Sequence, residues 1–416
     1  MAISYASNVF AFVDSQYGTA AAGGTGVKKQ VPVIVDLKYH RKVQTKTWWK
    51  QNGMIAEDTF SEGNSEQTKA GTPVIRKTDF SVKKGDTITM SQRTNLAITN
   101  NTGKVGSNQI VDSEVGWDFN YKDVKIDRWR QAVRTDGGMN EQRNPFSETF
   151  VETELDLLSD WTAQVEDSGI LAALHYGHAY HLMRNYGTTS LDPSPNVNTL
   201  FGNDDSMSTS RTIADLLGDG SDNPKGNTLA IGYNYCVENN FDPIAVGGEK
   251  FFVALVSPRF LRLLRKDPEV RDALQYARER GIDNPLFKAP GALLYENVLV
   301  FSYDKVRSVI NGYNPNGLTV ANAGASNATI TEAVYTGIGG GLSSSQITHS
   351  YFLGANAIAL AEGQMKMGQR TEDDYQNIIG RDADNIWGAQ RMDWLDAAGA
   401  NPANQSSLVI VNSLVF

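Results

Sequence analysis

Between residues 144 and 167 (NPFSETFVETELDLLSDWTAQVED) apolar positions recur at alternating spacings of four and three: Val151, Leu155, Leu158, Thr162 and Val165. Phe150, Leu157 and Trp161 form a second stripe beside the first. At 100° per residue the two stripes merge into one broad apolar face, which predicts an amphipathic helix. Asn144 suits its N-cap and Pro145 its first turn. At about 1.5 Å per residue the helix would span roughly 35 Å, a beam across a domain. Its opposite side carries Glu148, Glu152, Asp156 and Asp160 at four-residue spacing. Like charges so placed repel by a few tenths of a kcal/mol per pair. The ladder is therefore expected to be solvated or to face cations, and Arg128, Arg130, Arg134 and Arg143 lie just upstream.

Elsewhere the pattern is shorter in range. Residues 1–30 are small, polar and Gly/Ala-rich, the composition of an extended arm. Residues 31–56 mix short apolar runs with lysines and the pair Trp48–Trp49, which cannot both face one side of a helix. One of the two is expected to anchor on another surface, within the fold or on a neighbour. TPVIRKTDFSV, then KKGD with Lys84 and Asp86 around Gly85, then TITMSQR predict strand, turn and strand in one hairpin. Trp117, Phe119 and Tyr121 alternate with polar residues, and Val124 and Ile126 shift the parity, which predicts a bulge near residues 122–123. Residues 169–186 predict a further helix interrupted at Gly177, and 187–228 loops with one short helix near 212–217. The unbroken apolar run 251–256 predicts a buried strand, followed by helices capped at Ser257–Pro258 and Asp267–Pro268, the second ended by Gly281. Strand patterning returns over 284–303, 350–363, 377–396 and 406–416 around a Gly, Asn, Ala and Ser-rich stretch at 311–347.

Length and charge narrow the function. The 416 residues are enough for two or three domains, and 40% hydrophobic content is that of a globular chain. A net charge of −9 argues against wrapping nucleic acid with the whole surface, which needs clustered cations. The lone Cys236 excludes an internal disulfide framework and thiolate metal clusters, and reads as small-residue filler. No secretory signal or membrane-length apolar run is read, so a soluble product made in a cytoplasm is expected.

Candidate chemistry is sparse. His175, His178 and His181 recur every third residue, so that two could share a metal on one helix face, but no metalloprotease glutamate accompanies them. Residues 337–341 could cradle an anion, yet lack the lysine of a phosphate-binding loop. The acidic ladder lies in a row on an outer face rather than in a concave site suited to acid–base work. No nucleophile elbow or dinucleotide fingerprint is present. No catalytic, cofactor-binding or metal residue is therefore assigned. An arm, a long hairpin and a beam without an active site predict contact with copies of the same chain.

Four stretches carry a resemblance: KIDRWRQAV at 125–133, NPLF at 284–287, YFLGANA at 351–357 and IWGAQR at 386–391. Their order and spacing resemble the tailed-phage major capsid proteins of the Hong Kong 97 fold, and more narrowly the schitovirus (Enquatrovirus-type) capsid family. The resemblance covers roughly residues 45–416 and implies an α+β fold. Residues 1–56 would be an N-terminal arm and 57–115 an extended loop lying over a neighbour. Residues 116–186 and 346–416 would form a peripheral domain with spine helix 144–167, and 187–345 an axial domain. It further implies hexamers and pentamers closing into an icosahedral head around double-stranded DNA held without sequence-specific binding. Scaffold, portal and decoration proteins are the implied partners, with a procapsid assembled in the host cytoplasm, no membrane, no cofactor and no enzymatic activity. Trp48, Trp49, Lys84, Asp86, Arg128, Arg130, Glu148, Glu152 and Asp156 are the expected contacts between subunits. The rival expectations are an encapsulin-like compartment, a metal-dependent enzyme using His175 and His178, and a β-rich fibre component.

Overall fold

The computed structural model describes residues 32–57, 71–77, 87–93, 119–136, 150–186, 198–203, 211–239, 241–246, 249–279, 292–306, 313–334, 342–343, 346–369, 378–392, 394–395, 402–404 and 407–415. The arm 1–30, the turn holding Lys84 and Asp86, the helix start at 144–148, Gly281, the motif at 284–287 and residues 337–341 lie outside these residues.

The chain runs α1 (Pro32–Lys46), α2 (Trp48–Gln51), β1 (Ile55–Glu57), β2 (Val74–Lys77), β3 (Thr87–Arg93), β4 (Phe119–Lys125) and β5 (Asp127–Asp136) into the long helix α3 (Phe150–Tyr176). There follow α4 (Tyr180–Tyr186), β6 (Thr199–Phe201), α5 (Gly226–Glu238), β7 (Ile244–Val246), β8 (Glu249–Val256), α6 (Pro258–Leu264), α7 (Pro268–Glu279), β9 (Ala292–Tyr295) and β10 (Val298–Ser302). The last elements are β11 (Tyr313–Ala321), β12 (Thr329–Val334), β13 (Ile347–Leu353), β14 (Ile358–Gln369), β15 (Ile378–Arg391), β16 (Trp394–Leu395), β17 (Pro402–Asn404) and β18 (Ser407–Ser413). The result is a mixed α+β fold of two compact units. One comprises residues up to 47, 130–163 and 364–385, the other residues 48–129, 164–363 and 386–416.

In the first unit α1 packs Tyr39 and Val43 against Leu155 and Leu158 of α3, with Met367 and Ala383 completing the cluster. Leu155, Leu158 and Thr162 are buried as the first stripe predicts. Leu157 departs from expectation: it is 53% exposed. It sits 100° from Leu158 around the helix, so the true apolar face is narrower than the two merged stripes.

The second unit holds most of the core. The length of α3 corrects the sequence reading. The helix does not stop near Asp167 but continues through Gly169, and residues 170–176 are all buried. Gly169 is there for a close approach: a Cβ would lie 2.3 Å from a ring carbon of Trp387. The predicted interruption at Gly177 does occur. Its φ of +90° ends α3 in the left-handed region, where glycine carries no Cβ penalty.

A seven-stranded sheet runs β6-β18-β13-β8-β10-β9, with β7 paired to β8. β13 and β18 are buried along their whole length. β8 is the predicted buried strand, and Ser257 caps α6 as expected, its Oγ accepting from the Phe260 N–H at 3.2 Å. Glu296 and Asn297, both at positive φ, turn β9 into β10. Helix α5 was not foreseen. Its glycines, asparagines and aromatic residues have weak helix propensity, and burial of Leu229, Ile231 and Cys236 against Phe252, Phe352 and Ile410 supplies what propensity lacks.

A second sheet runs β1-β2-β14-β15-β5. Here the predicted hairpin fails. β2 pairs in parallel with β1 and β14, whereas β3 pairs antiparallel with β4, Ile88 opposite Val124. The fully buried Val74 lies opposite both Ile55 and Ile358, so burial on a wider sheet outweighs the local turn. The break in strand parity falls at Ile126, between β4 and β5, rather than at 122–123.

Candidate functional site

Helix α2 has four residues, too few to stand alone, and the second unit fixes it from every side. The Trp48 N–H donates to both carboxylate oxygens of Asp167 on α3, at 3.1 and 3.2 Å. Asp167 thus caps a helix distant in sequence. Burial pushes its pKa up to about 6, although the Trp48 and Trp49 amides pull the other way. The Trp48 ring stacks on Tyr303 with centroids 4.3 Å apart, and the Trp49 side chain is fully buried. Burial also pushes the Tyr303 phenol up. Both tryptophans are therefore engaged by their own chain.

Next along the same helix, Lys50 enters a buried charge cluster. Its Nζ lies 2.7 Å from Glu166 Oε1 on α3 and 2.6 Å from Glu362 Oε1 on β14. Arg76 of β2 completes the cluster, its Nη1 3.2 Å from Glu362 Oε2. Both glutamates are 3% exposed, Lys50 10% and Arg76 15%. Burial works against the Lys50 ammonium, but the two carboxylates outweigh it and raise its pKa. Burial pushes Glu166 up to about 8, opposed by Lys50 and reinforced by Glu362. Burial acts on Glu362 too, but Lys50 and then Arg76 overcome it and hold this carboxyl low. Of the two acids, Glu166 is the one that keeps a proton.

None of Lys50, Arg76, Glu166, Asp167 or Glu362 was singled out in the sequence. A signal existed for one of them. Glu166 follows Leu158 and Thr162 at four-residue spacing, on the apolar face of α3. A charge placed there needs a buried partner.

Asp156 and Asp160 of the acidic ladder meet lysines of their own chain. In the first unit Asp156 lies 2.7 Å from Lys42 and 3.4 Å from Lys46, and Asp160 lies 2.7 Å from Lys46. The Lys42 hydrogen bond holds the Asp156 carboxyl below its usual range. Arg130 pairs instead with Asp382 at 2.7 Å. Arg128 is exposed on β5. Glu148 and the side chain of Glu152 lie outside the described residues. Another acid of the same helix, Glu154, is buried against Arg381 at 3.2 Å.

His175 and His181 bond different partners. His175 Nδ1 bonds the Tyr351 hydroxyl at 3.0 Å, and His181 Nε2 bonds the Trp387 carbonyl at 2.8 Å. His178 follows the break at Gly177. His349 on β13 lies beside His175, ring centroids 5.1 Å apart. Burial holds all three core imidazoles neutral: His175 well below its usual pKa, His181 at about 4 and His349 at about 3. Arg391 donates to the carbonyls of Leu174 and His175 at the end of α3. Among the described residues no group of three or more His, Cys, Asp or Glu is placed to hold a metal ion, and no helix is long and apolar enough to cross a membrane. Cys236 is buried, which pushes its thiol pKa up.

A cap, stacked rings and enclosed ion pairs tie α2, β2, α3 and β14 together. The chain belongs to the phage capsid protein family, whose profile matches residues 37–416. Comparison with solved structures gives the same fold. The capsid of Ralstonia phage GP4 matches with a TM-score of 0.60 at 16% identity, covering 100% of this chain and 98% of that one. The cyanophage Pam1 capsid asymmetric unit also matches at 0.60 and 16% identity, covering 96% and 99%. The head structure of the Helicobacter pylori bacteriophage KHP40 matches at 0.54 and 12% identity, covering 88% and 90%. Comparison with curated protein sequences gave no match.

Proposed function

We propose that the chain is the major capsid protein of a tailed phage, a Hong Kong 97-type subunit that forms hexamers and pentamers of an icosahedral head around double-stranded DNA. The observation that carries the reading is the family match over residues 37–416, supported by capsid neighbours that cover nearly the whole chain. In this reading residues 1–56 are the arm, 57–115 the extended loop, 116–186 and 346–416 the peripheral domain, and 187–345 the axial domain. The exposed Arg128 and Arg130 on β5, with Lys84, Asp86, Glu148 and Glu152, are the contacts offered to neighbouring subunits. Identical subunits repeat identical contacts, so individually weak interfaces sum to a closed shell. A net charge of −9 suits a container that holds DNA without gripping its phosphates. Scaffold and portal proteins would guide assembly in the host cytoplasm, and no enzymatic step is needed of this chain.

The test is expression of the full chain, alone and with the other head proteins of its phage, followed by electron microscopy. Closed round particles are expected. Rods, or a lone species under both conditions, would overturn the reading.

A further inference from the structure

β2 is a four-residue strand, and α2 is a four-residue helix. Each enters the charge cluster through one cation: Lys50 from α2, Arg76 from β2. Both cations converge on Glu362 of β14, and Lys50 also holds Glu166 of α3. The Lys50 Nζ lies within 2.7 Å of an oxygen from each carboxyl, so the two acids share one enclosed space. The charged groups facing them are Lys50 from α2 and Arg76 from β2, and Lys50 also faces Asp167, one residue along α3. Asp167 in turn faces Lys305 and Tyr303.

We propose that the Lys50–Glu166–Glu362–Arg76 cluster is a proton-dependent latch. With a proton on Glu166 it fastens α2 and β2 to α3 and β14. Loss of that proton leaves the Glu166 carboxylate buried with no cation but Lys50, which it shares with Glu362 while Arg76 serves Glu362 alone, and lets α2 and β2 open locally. The joint lies within one chain, so its behaviour is read without any assembled particle.

The direction with pH follows from the groups present. Glu166 titrates at about 8 in the closed joint and near 4.5 once exposed. Its contribution is complete below 4.5, declines as pH rises and is gone by about 8. Asp167 has titrated by about 6, and the buried histidines act only below 6.5. Among the described groups, the interval from pH 6.5 to 8 therefore reports Glu166.

Hydrogen exchange of the full chain, as protection factors over residues 48–57 and 74–77, tests the latch. Protection should fall by up to tenfold per pH unit between 6.5 and 8 and level off above. At pH 8 it should lie at least tenfold below that of β8, because the opening is local. Glu166→Gln, which carries no charge at any pH, should abolish the slope and stay protected. Glu362→Gln removes the neighbouring negative charge and should move the decline to lower pH. A flat wild-type profile, a slope retained in Glu166→Gln, or protection at the joint equal to that of β8 would each overturn the proposal. Should Glu166→Gln fail to fold, the direction of the Glu362→Gln shift decides it.

Discussion

Tyr39, Thr162 and Asn385 meet inside the first unit with every polar group matched. The Tyr39 hydroxyl lies 2.5 Å from Thr162 Oγ1, and Asn385 Nδ2 donates to both oxygens at 3.1 and 3.2 Å. Tyr39→Phe keeps the ring and leaves its buried partners short, at a cost of about 1–3 kcal/mol. Asp156→Asn removes pairs with Lys42 and Lys46, but Asp156 is half exposed, so water already screens them. That change should cost about 0.2–1 kcal/mol. Urea midpoints at unchanged slope measure both. The order Tyr39→Phe over Asp156→Asn is the prediction, and the reverse order would mean that the lysine contacts carry the α1–α3 junction.

The hairpin β11–β12 shows how one element is held. Arg184 of α4 donates through Nε and Nη2 to the Ala328 carbonyl at 2.9 and 2.6 Å, and its own carbonyl accepts from the Gly324 N–H at 3.0 Å. Val320 and Ile330 pack on Ala172, Tyr176 and Met183. The tip, residues 321–327, is exposed. Arg184→Ala should speed proteolytic cleavage at the tip by roughly tenfold, as the loss of a charge-assisted fork implies. Unchanged cleavage would leave the apolar contacts as the hold. Elements of this kind divide by how local their signals are. The buried run of β8, the Ser257 cap and the Gly177 stop were legible because each depends on a few neighbouring residues. The partner of β2 was not, because Val74 chose Ile55 and Ile358 over a tight turn to β3. That the beam helix and the helix from Gly169 are one was not legible, because the indole that packs on Gly169, Trp387, lies far along the sequence. The charge cluster was hidden for the same reason: its four members come from four separate segments, and only Glu166 stood on a face where a charge is out of place.

At the scale of the molecule, the buried ionisable groups of the second unit set the dependence of stability on pH. His175, His181 and His349 have folded pKa values below 6.5, so the unfolded chain takes up protons there that the folded chain refuses. Their contribution is complete above 6.5 and is lost as pH falls. Glu166 and Asp167 act oppositely, losing their contribution as pH rises to about 8 and about 6. Among the described residues, three histidines outweigh two carboxyls below pH 6, and above 6.5 Glu166 is the group that dominates. Stability should peak near pH 6.5 and fall toward pH 8. Denaturant unfolding between pH 5 and 9 checks this, and a rise continuing to pH 8 would contradict it.

What these joints serve is a subunit stiff enough to be repeated. The most direct measurement is a symmetry-averaged cryo-electron microscopy reconstruction of particles built by this chain. The prediction is a closed wall of five-fold and six-fold rings, each subunit recognisable by the 27-residue helix α3 and the seven-stranded sheet. A wall built from another polypeptide, or particles without five-fold and six-fold rings, would contradict it.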